Sequence, residues 1–202
     1  RDQLGVLPPG DIRQCLVGLS YTEKEMKDLF NYRFSSGSLK GHSAGNIILA
    51  ALEKITGNID EAINVASKIL NVRGQVLPVT LKPTRLSAIL KNGKKIAGEH
   101  NIDVPQKRAP IKEISLSPNG PVNPKVLTAL KTADAIILGP GDLYTSVLPS
   151  LLVKGAREAM DSSHAKKVLV CNIMTQAGQT DKFTPGDFVK VVNSHLGKNK
   201  LD

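Results

Sequence analysis

The sequence contains no tryptophan, and its four phenylalanines and three tyrosines amount to 3% of the chain. So few aromatics leave little material for the platforms on which single-stranded nucleic acid stacks. Cysteine is as scarce, with Cys15 and Cys171 far apart and no Cys-x-x-Cys spacing, which excludes a disulfide scaffold and a sequence-local zinc or redox motif. A reducing, intracellular compartment is the simplest reading of that pair. Long hydrophobic runs are also missing: the longest covers residues 47–52, against the roughly 18 residues that a membrane-spanning helix needs. No secretory signal or transit peptide is visible, and the first residue is Arg1 rather than methionine, which leaves the natural start in question. Hydrolase signatures are lacking as well. None of His42, His100, His164 and His195 lies in a His-Glu-x-x-His pattern, there is no Gly-x-Ser-x-Gly elbow, and neither cysteine sits in a nucleophile motif.

What is present is an ordinary globular composition of 202 residues, 41% hydrophobic and 22% charged, long enough for one domain or two small ones. A net charge of +9, from 27 Lys and Arg against 18 acids, favours an anionic partner: nucleic acid, an acidic surface or a phosphorylated small molecule. The cations are scattered as short pairs such as Lys94-Lys95, Lys107-Arg108 and Lys166-Lys167, which reads as solvated faces. Together with the scarce aromatics, this argues against nucleic acid.

The first half reads as helical. Asp11 is placed to cap a short apolar helix, Thr22 and Glu25 form a capping-box pattern, and a helix apolar nearly all round runs from Ser43 to Gly57. Asn58 can cap a fourth helix with Asp60 and Glu61 in its first turn. Beyond Gly74 the period changes, predicting an irregular strand through Val76, Leu77, Val79 and Leu81. A hairpin follows, with Asn92-Gly93 suited to a type I′ turn. Prolines then punctuate a stretch read as loop and edge structure around one short strand over 111–116. The last third alternates: helix 124–132, strand 135–138, helix 146–160, strand 168–173, helix 185–195. That rhythm predicts an α/β protein with an open sheet and parallel pairing, whose ligands bind beyond the carboxyl ends of the strands.

Four segments carry candidate chemistry. Gly139-Pro140-Gly141-Asp142-Leu143-Tyr144-Thr145-Ser146 follows a strand and opens a helix, a setting in which glycine backbone, helix N–H groups and the Thr145 and Ser146 hydroxyls suit a phosphate. A tight turn with a Ser/Thr cap would read the same way, and the spacing matches neither Gly-x-Gly-x-x-Gly nor a Walker loop. Cys171-Asn172-Ile173-Met174-Thr175-Gln176-Ala177-Gly178-Gln179-Thr180 offers uncharged groups for a sugar or base, or for its own backbone. Asp11 can be a metal ligand and Arg13 a phosphate clamp, or they can be a helix cap and a surface charge. Gly41-His42-Ser43-Ala44-Gly45-Asn46 opens another helix, where small residues permit close packing or close ligand approach.

Taken in order, these motifs, with Leu7-Pro8-Pro9-Gly10-Asp11-Ile12-Arg13 as the first, resemble the bacterial gluconeogenesis factor family (YvcK-like), itself related to 2-phospho-L-lactate transferase (CofD). The resemblance covers nearly the whole chain. It implies one Rossmann-like domain over 1–202, an open and mostly parallel sheet with helices on both faces, plus a small β-hairpin excursion. It further implies a cytoplasmic bacterial protein that binds a UDP-glucose or UDP-GlcNAc type of nucleotide sugar and serves cell-wall and cell-shape homeostasis during gluconeogenic growth. Family members begin with a strand, a glycine-rich turn and an Asp-Asp-Gly-Gly segment, and many end with a further C-terminal region; this chain is expected to lack both. Asp142 stands where Ser is frequent in the family, Ala177 where Pro is usual and Gln179 where Glu is usual. A carboxylate at position 142 fits a phosphate site only if it faces ribose, a metal or solvent.

The ligand set read from the motifs is Arg13, His42, Asn46, Gly139, Gly141, Asp142, Tyr144, Thr145, Ser146, Asn172 and Thr175. Catalytic residues are left unassigned. Resemblance to the transferase branch makes Asp11 the candidate metal carboxylate and magnesium its candidate ion, with no other cofactor implied. That branch moves a phospholactyl group to a deazaflavin alcohol, but its Gly-Pro-Ser-Asn-Pro-type loop differs from the one here, so a regulatory binding protein is favoured over an enzyme. A homo-oligomer and a protein partner are left open.

Overall fold

The computed structural model describes residues 10–104 and 106–202, and the chain divides into two compact units, Arg1–Pro78 and Val79–Asp202. In the first unit four helices, α1 (Gly10–Gly18), α2 (Lys24–Asn31), α3 (Ala44–Thr56) and α4 (Ile59–Ile69), bury one apolar stripe each. Leu16, Phe30, Leu49, Ile63, Ala66 and Leu70 form its core, the 3.6-residue periodicity bringing i, i+3 and i+4 positions onto the inner faces. α3 stops where expected, at Gly57 with φ 82°, a left-handed C-cap that glycine adopts without steric cost. It is not buried all round, since Ala51 and Ile55 face solvent.

Two capping expectations fail and one holds. Asp11 lies inside the first turn of α1 rather than before it, and α2 begins after Glu23 with no side-chain cap, so Thr22 and Glu25 form no box. Asn58 does cap α4, its side-chain oxygen accepting from the Glu61 N–H at 2.9 Å. Asn58→Ala removes that acceptor, and the expected loss is about 1 kcal/mol, read as a lower midpoint in urea; an unchanged midpoint would mean the cap contributes nothing.

The second unit holds β1 (Arg85–Leu90), β2 (Lys95–Ala97), α5 (Glu99–Asp103), β3 (Ile111–Ser117), α6 (Pro124–Thr132), β4 (Ala135–Leu138), α7 (Leu148–Leu152), α8 (Ala156–Ser162), β5 (Lys166–Leu169) and α9 (Pro185–His195). Strands β2-β1-β3 form an antiparallel sheet in that order, and alternation along β1 sends Leu86, Ala88 and Leu90 inward. β4 and β5 pair in parallel, Ala135 opposite Lys166 through Leu138 opposite Leu169. Ile114, Ile136, Leu148, Phe188, Val192 and Leu196 join the β1 residues in one core.

The α/β class is as read, but the mostly parallel sheet is not: among the described residues one parallel pair stands beside an antiparallel sheet. The β1–β2 pairing follows from a local turn, because a short connection can return the chain only in the opposite direction. That turn is not type I′. Gly93 alone is left-handed, at φ 83°, and its N–H donates to Leu90 O at 2.9 Å, the pattern of a type I turn closed by a glycine bulge.

No strand forms over 76–81. Pro78 lacks an N–H, and Thr80 spends its hydroxyl on Pro121 O at 2.8 Å. The helix expected over 146–160 is broken into a π-helical turn, Leu143–Val147, then α7 and α8. Between α7 and α8 the chain turns at Gly155 with φ 91°, and the Lys154 N–H leaves the helix for Asn119 Oδ1 at 3.0 Å. β5 begins two residues before the strand predicted from Val168 and ends at Leu169, whereas α6, β4 and α9 have the bounds predicted.

Candidate functional site

The candidate residues fall into two groups, one in each unit. In the second unit β4 and β5 point their carboxyl ends at the two motifs that follow them, and there the chain segments meet. Gly139 is left-handed at φ 83°, and a Cβ on it would lie 2.8 Å from Val170 O; no side chain fits at that crossing. Gly141 differs. It is not left-handed, its nearest contact for a Cβ is Ser146 Cβ at 3.4 Å, and its N–H donates to Asn172 Oδ1 at 3.4 Å. The structure thus joins Gly141 to Asn172, two candidates 31 residues apart.

Asp142 occupies the position before the π-helical turn, and its carbonyl accepts from Ser146 N at 2.8 Å and Val147 N at 3.0 Å. The helix N-terminus anticipated for this loop is therefore a wider turn, whose bonds run from i+4 and i+5. Ser146 is half-buried, Thr175 is exposed, and beside it Ile173 and Met174 are open to solvent. Tyr144 is buried, and burial pushes its phenol above the usual tyrosine range.

Thr145 turns inward. It is 6% exposed, and its hydroxyl donates to Asp103 Oδ1 at 2.7 Å. The same carboxylate oxygen accepts from Gln179 Nε2 at 3.2 Å, while Arg108 Nε donates to Gly178 O at 2.8 Å. Asp103 and Arg108 were missed from the sequence, Arg108 being half of a basic pair that reads as a solvated face, whereas Gln179 belongs to the second candidate segment. Thr145 and Gln179 lie 42 and 76 residues from Asp103, so no local pattern marks the group; a lone acid ending a five-residue helix carries no signal of its own.

In the first unit, Asp11 is exposed and Arg13 buried although they are two residues apart, since i and i+2 on a helix face different ways. Cys15, four residues from Asp11, has its thiol pKa raised by burial and then by the Asp11 charge. Among the described residues no three His, Cys, Asp or Glu side chains gather to hold a metal. Asp11 by itself does not make a magnesium site, for which one or two carboxylates act together with substrate phosphates. His42 is exposed, its Nδ1 3.2 Å from Leu39 O, and Asn46 is half-buried on the first turn of α3. The Leu7, Pro8 and Pro9 part of the first motif lies outside the described residues. No helix among the described residues is long and apolar enough to cross a membrane.

An antiparallel sheet beside a parallel pair, with a glycine turn at the pair's carboxyl ends, defines an α/β protein with its candidate site on strand-following loops. The chain belongs to the 2-phospho-L-lactate transferase CofD family, which it matches over residues 1–202. A protein from Nostoc sp. (strain PCC 7120) is 46% identical over 203 residues, covering all of this chain and 44% of its own length. The gluconeogenesis factor of Bacillus subtilis is 44% identical over 205 residues, covering all of this chain and 64% of its own length. A crystal structure of a UPF0052-family member from Bacillus halodurans superposes with a TM-score of 0.93 at 43% identity, over all of this chain and 65% of that one. The chain therefore spans less than two thirds of each of these three relatives.

Proposed function

We propose that the chain is the nucleotide-sugar-binding part of a cytoplasmic regulatory protein, a single Rossmann-like domain of its family that takes a UDP-sugar and links gluconeogenic growth to cell-wall and cell-shape homeostasis. The observation that carries this reading is the crossing of the two loops beyond β4 and β5, where Gly139 approaches Val170 and Asn172 holds Gly141. Ligands of open α/β sheets bind beyond the carboxyl ends of the strands, where these loops lie, and the neighbouring polar loop with Asn172 and Thr175 offers neutral groups to a sugar or base. Ser146, Tyr144 and Asp142 complete this set in the second unit; Arg13, His42 and Asn46 form a separate group of proposed ligand residues in the first. The name carried by the Bacillus subtilis relative, gluconeogenesis factor, supports the link to gluconeogenic growth.

The test is thermal unfolding with UDP-glucose, UDP-GlcNAc, GDP and NAD. A ligand at ten times its Kd adds about 1.4 kcal/mol to the folded state, and a UDP-sugar is expected to give that shift. A folded protein whose midpoint ignores every UDP-sugar would remove the reading. The match to a transferase family favours a second reading, phospholactyl or phosphoryl transfer. Nucleotide release with magnesium and candidate acceptors, abolished by Asp11→Asn, would establish transfer in place of regulation.

A further inference from the structure

Arg13 is only 7% exposed, yet the groups it reaches are neutral. Its Nη1 donates to Phe30 O at 3.4 Å and Asn31 Oδ1 at 2.5 Å, and its Nε is buried with no partner among the described residues. A buried cation is costly unless an opposite charge meets it. Here the neighbouring charge has the same sign: burial first, and then Arg33, lower the guanidinium's pKa.

The guanidinium lies against the start of α3. The Ser43 hydroxyl donates to the same Phe30 carbonyl at 3.2 Å, and a Cβ on Gly45 would sit 2.9 Å from Arg13 Cδ, the atom that carries Nε. α3 has thirteen residues and no side-chain cap, because Ser43 spends its hydroxyl on Phe30. Its Ala44 N–H goes to Tyr32 O at 2.8 Å and its Ile47 N–H to Ser43 O at 3.2 Å, which leaves Gly45 and Asn46 as the N–H groups with no intrahelical acceptor. On the same turn Asn46 Oδ1 is buried without a partner among the described residues; as an acceptor it offers nothing to an anion, so the donors of this turn are its backbone N–H groups.

We propose that Arg13 and the first turn of α3 form an anion-binding centre for a phosphoryl group, with Arg33 adding charge from the solvent side. Two guanidiniums and the partial positive charge of a helix N-terminus match a dianion better than a single carboxylate, and a tetrahedral phosphoryl group can accept from the guanidinium fork and from backbone N–H groups together. The inference rests on the nucleotide-sugar reading only in treating Arg13 as a ligand residue.

The probe is inorganic phosphate, titrated at constant ionic strength against chloride and read by the unfolding midpoint and by broadening of the phosphorus resonance. The wild-type chain is expected to show a saturable shift that Arg13→Gln abolishes. Arg33→Gln, a change at an exposed side chain that gives up one exposed hydrogen bond to Gly41 O, is expected to keep the fold and weaken phosphate by about two- to fivefold, which decides the matter if Arg13→Gln fails to fold. No saturable shift in the folded wild type, or a shift of full size in both variants, overturns the centre. If phosphate binds and no UDP-sugar does, the nucleotide-sugar reading falls and this centre stands as a site for free phosphate or another phosphate ester. If a UDP-sugar binds and loses affinity in Arg33→Gln in step with phosphate, the phosphoryl group is the nucleotide's own.

Discussion

Gly139→Ala is expected to lower the unfolding midpoint by about 10 °C. Two costs add. A non-glycine residue held in the left-handed region loses about 1–2 kcal/mol, and the new Cβ would sit 2.8 Å from the Val170 carbonyl oxygen, a backbone atom that cannot swing aside. Overpacking of this kind costs about 1–3 kcal/mol, and each kcal/mol shifts the midpoint of a chain this long by about 2–4 °C. Gly141→Ala is the matched control, because its Cβ meets only Ser146 Cβ at 3.4 Å and Val147 Cγ2 at 3.7 Å. It should melt within about 2 °C of wild type while losing UDP-sugar affinity if a phosphate lies against that turn. Equal melting of the two variants would show that the crossing at Val170 is not rigid.

Thr145→Val should destabilise the protein by about 1.5–3 kcal/mol, the range for a hydrogen bond to a charged group. The sequence led to a different expectation, in which this hydroxyl donates to a bound phosphate and its loss weakens binding. With the bond directed to Asp103, the substitution acts on the fold, leaving the carboxylate with Gln179 Nε2 as its remaining side-chain donor among the described residues. A double-mutant cycle with Asp103→Asn, measured in urea, isolates the pair. Additive effects would show that the hydroxyl and the carboxylate are uncoupled, and unchanged stability with a large loss of affinity would return Thr145 to the ligand.

Elements whose signals are local were legible in the sequence. Asn123-Pro124 and Thr184-Pro185 open helices at their N-caps, Gly57 closes one, and β4 is a four-residue apolar run between turn residues. The break between α7 and α8 was not, since Gly155 marks it only weakly, a glycine inside a helix costing about 1 kcal/mol, and the Asn119 side chain that captures the Lys154 N–H comes from 35 residues away. For the same reason Arg13 could be named as a phosphate clamp but not known to be buried: its surroundings come from Phe30, Asn31 and Gly45. The candidate loops were found because glycine and proline mark them, whereas Asp103, which accepts from Thr145 of one loop and Gln179 of the other, is an ordinary residue until the chain is folded.

The span of those contacts has a consequence for the order of folding. The β1–β2 hairpin closes across three residues, and α3 and α4 are joined directly at Gly57 and Asn58, so both form early, when little chain entropy opposes them. The loop contacts beyond β4 and β5 need closures of 31, 42 and 76 residues, each more expensive in chain entropy than a local turn. The site in the second unit is therefore assembled late, and a nascent chain gains it only after Gln179 has been synthesised.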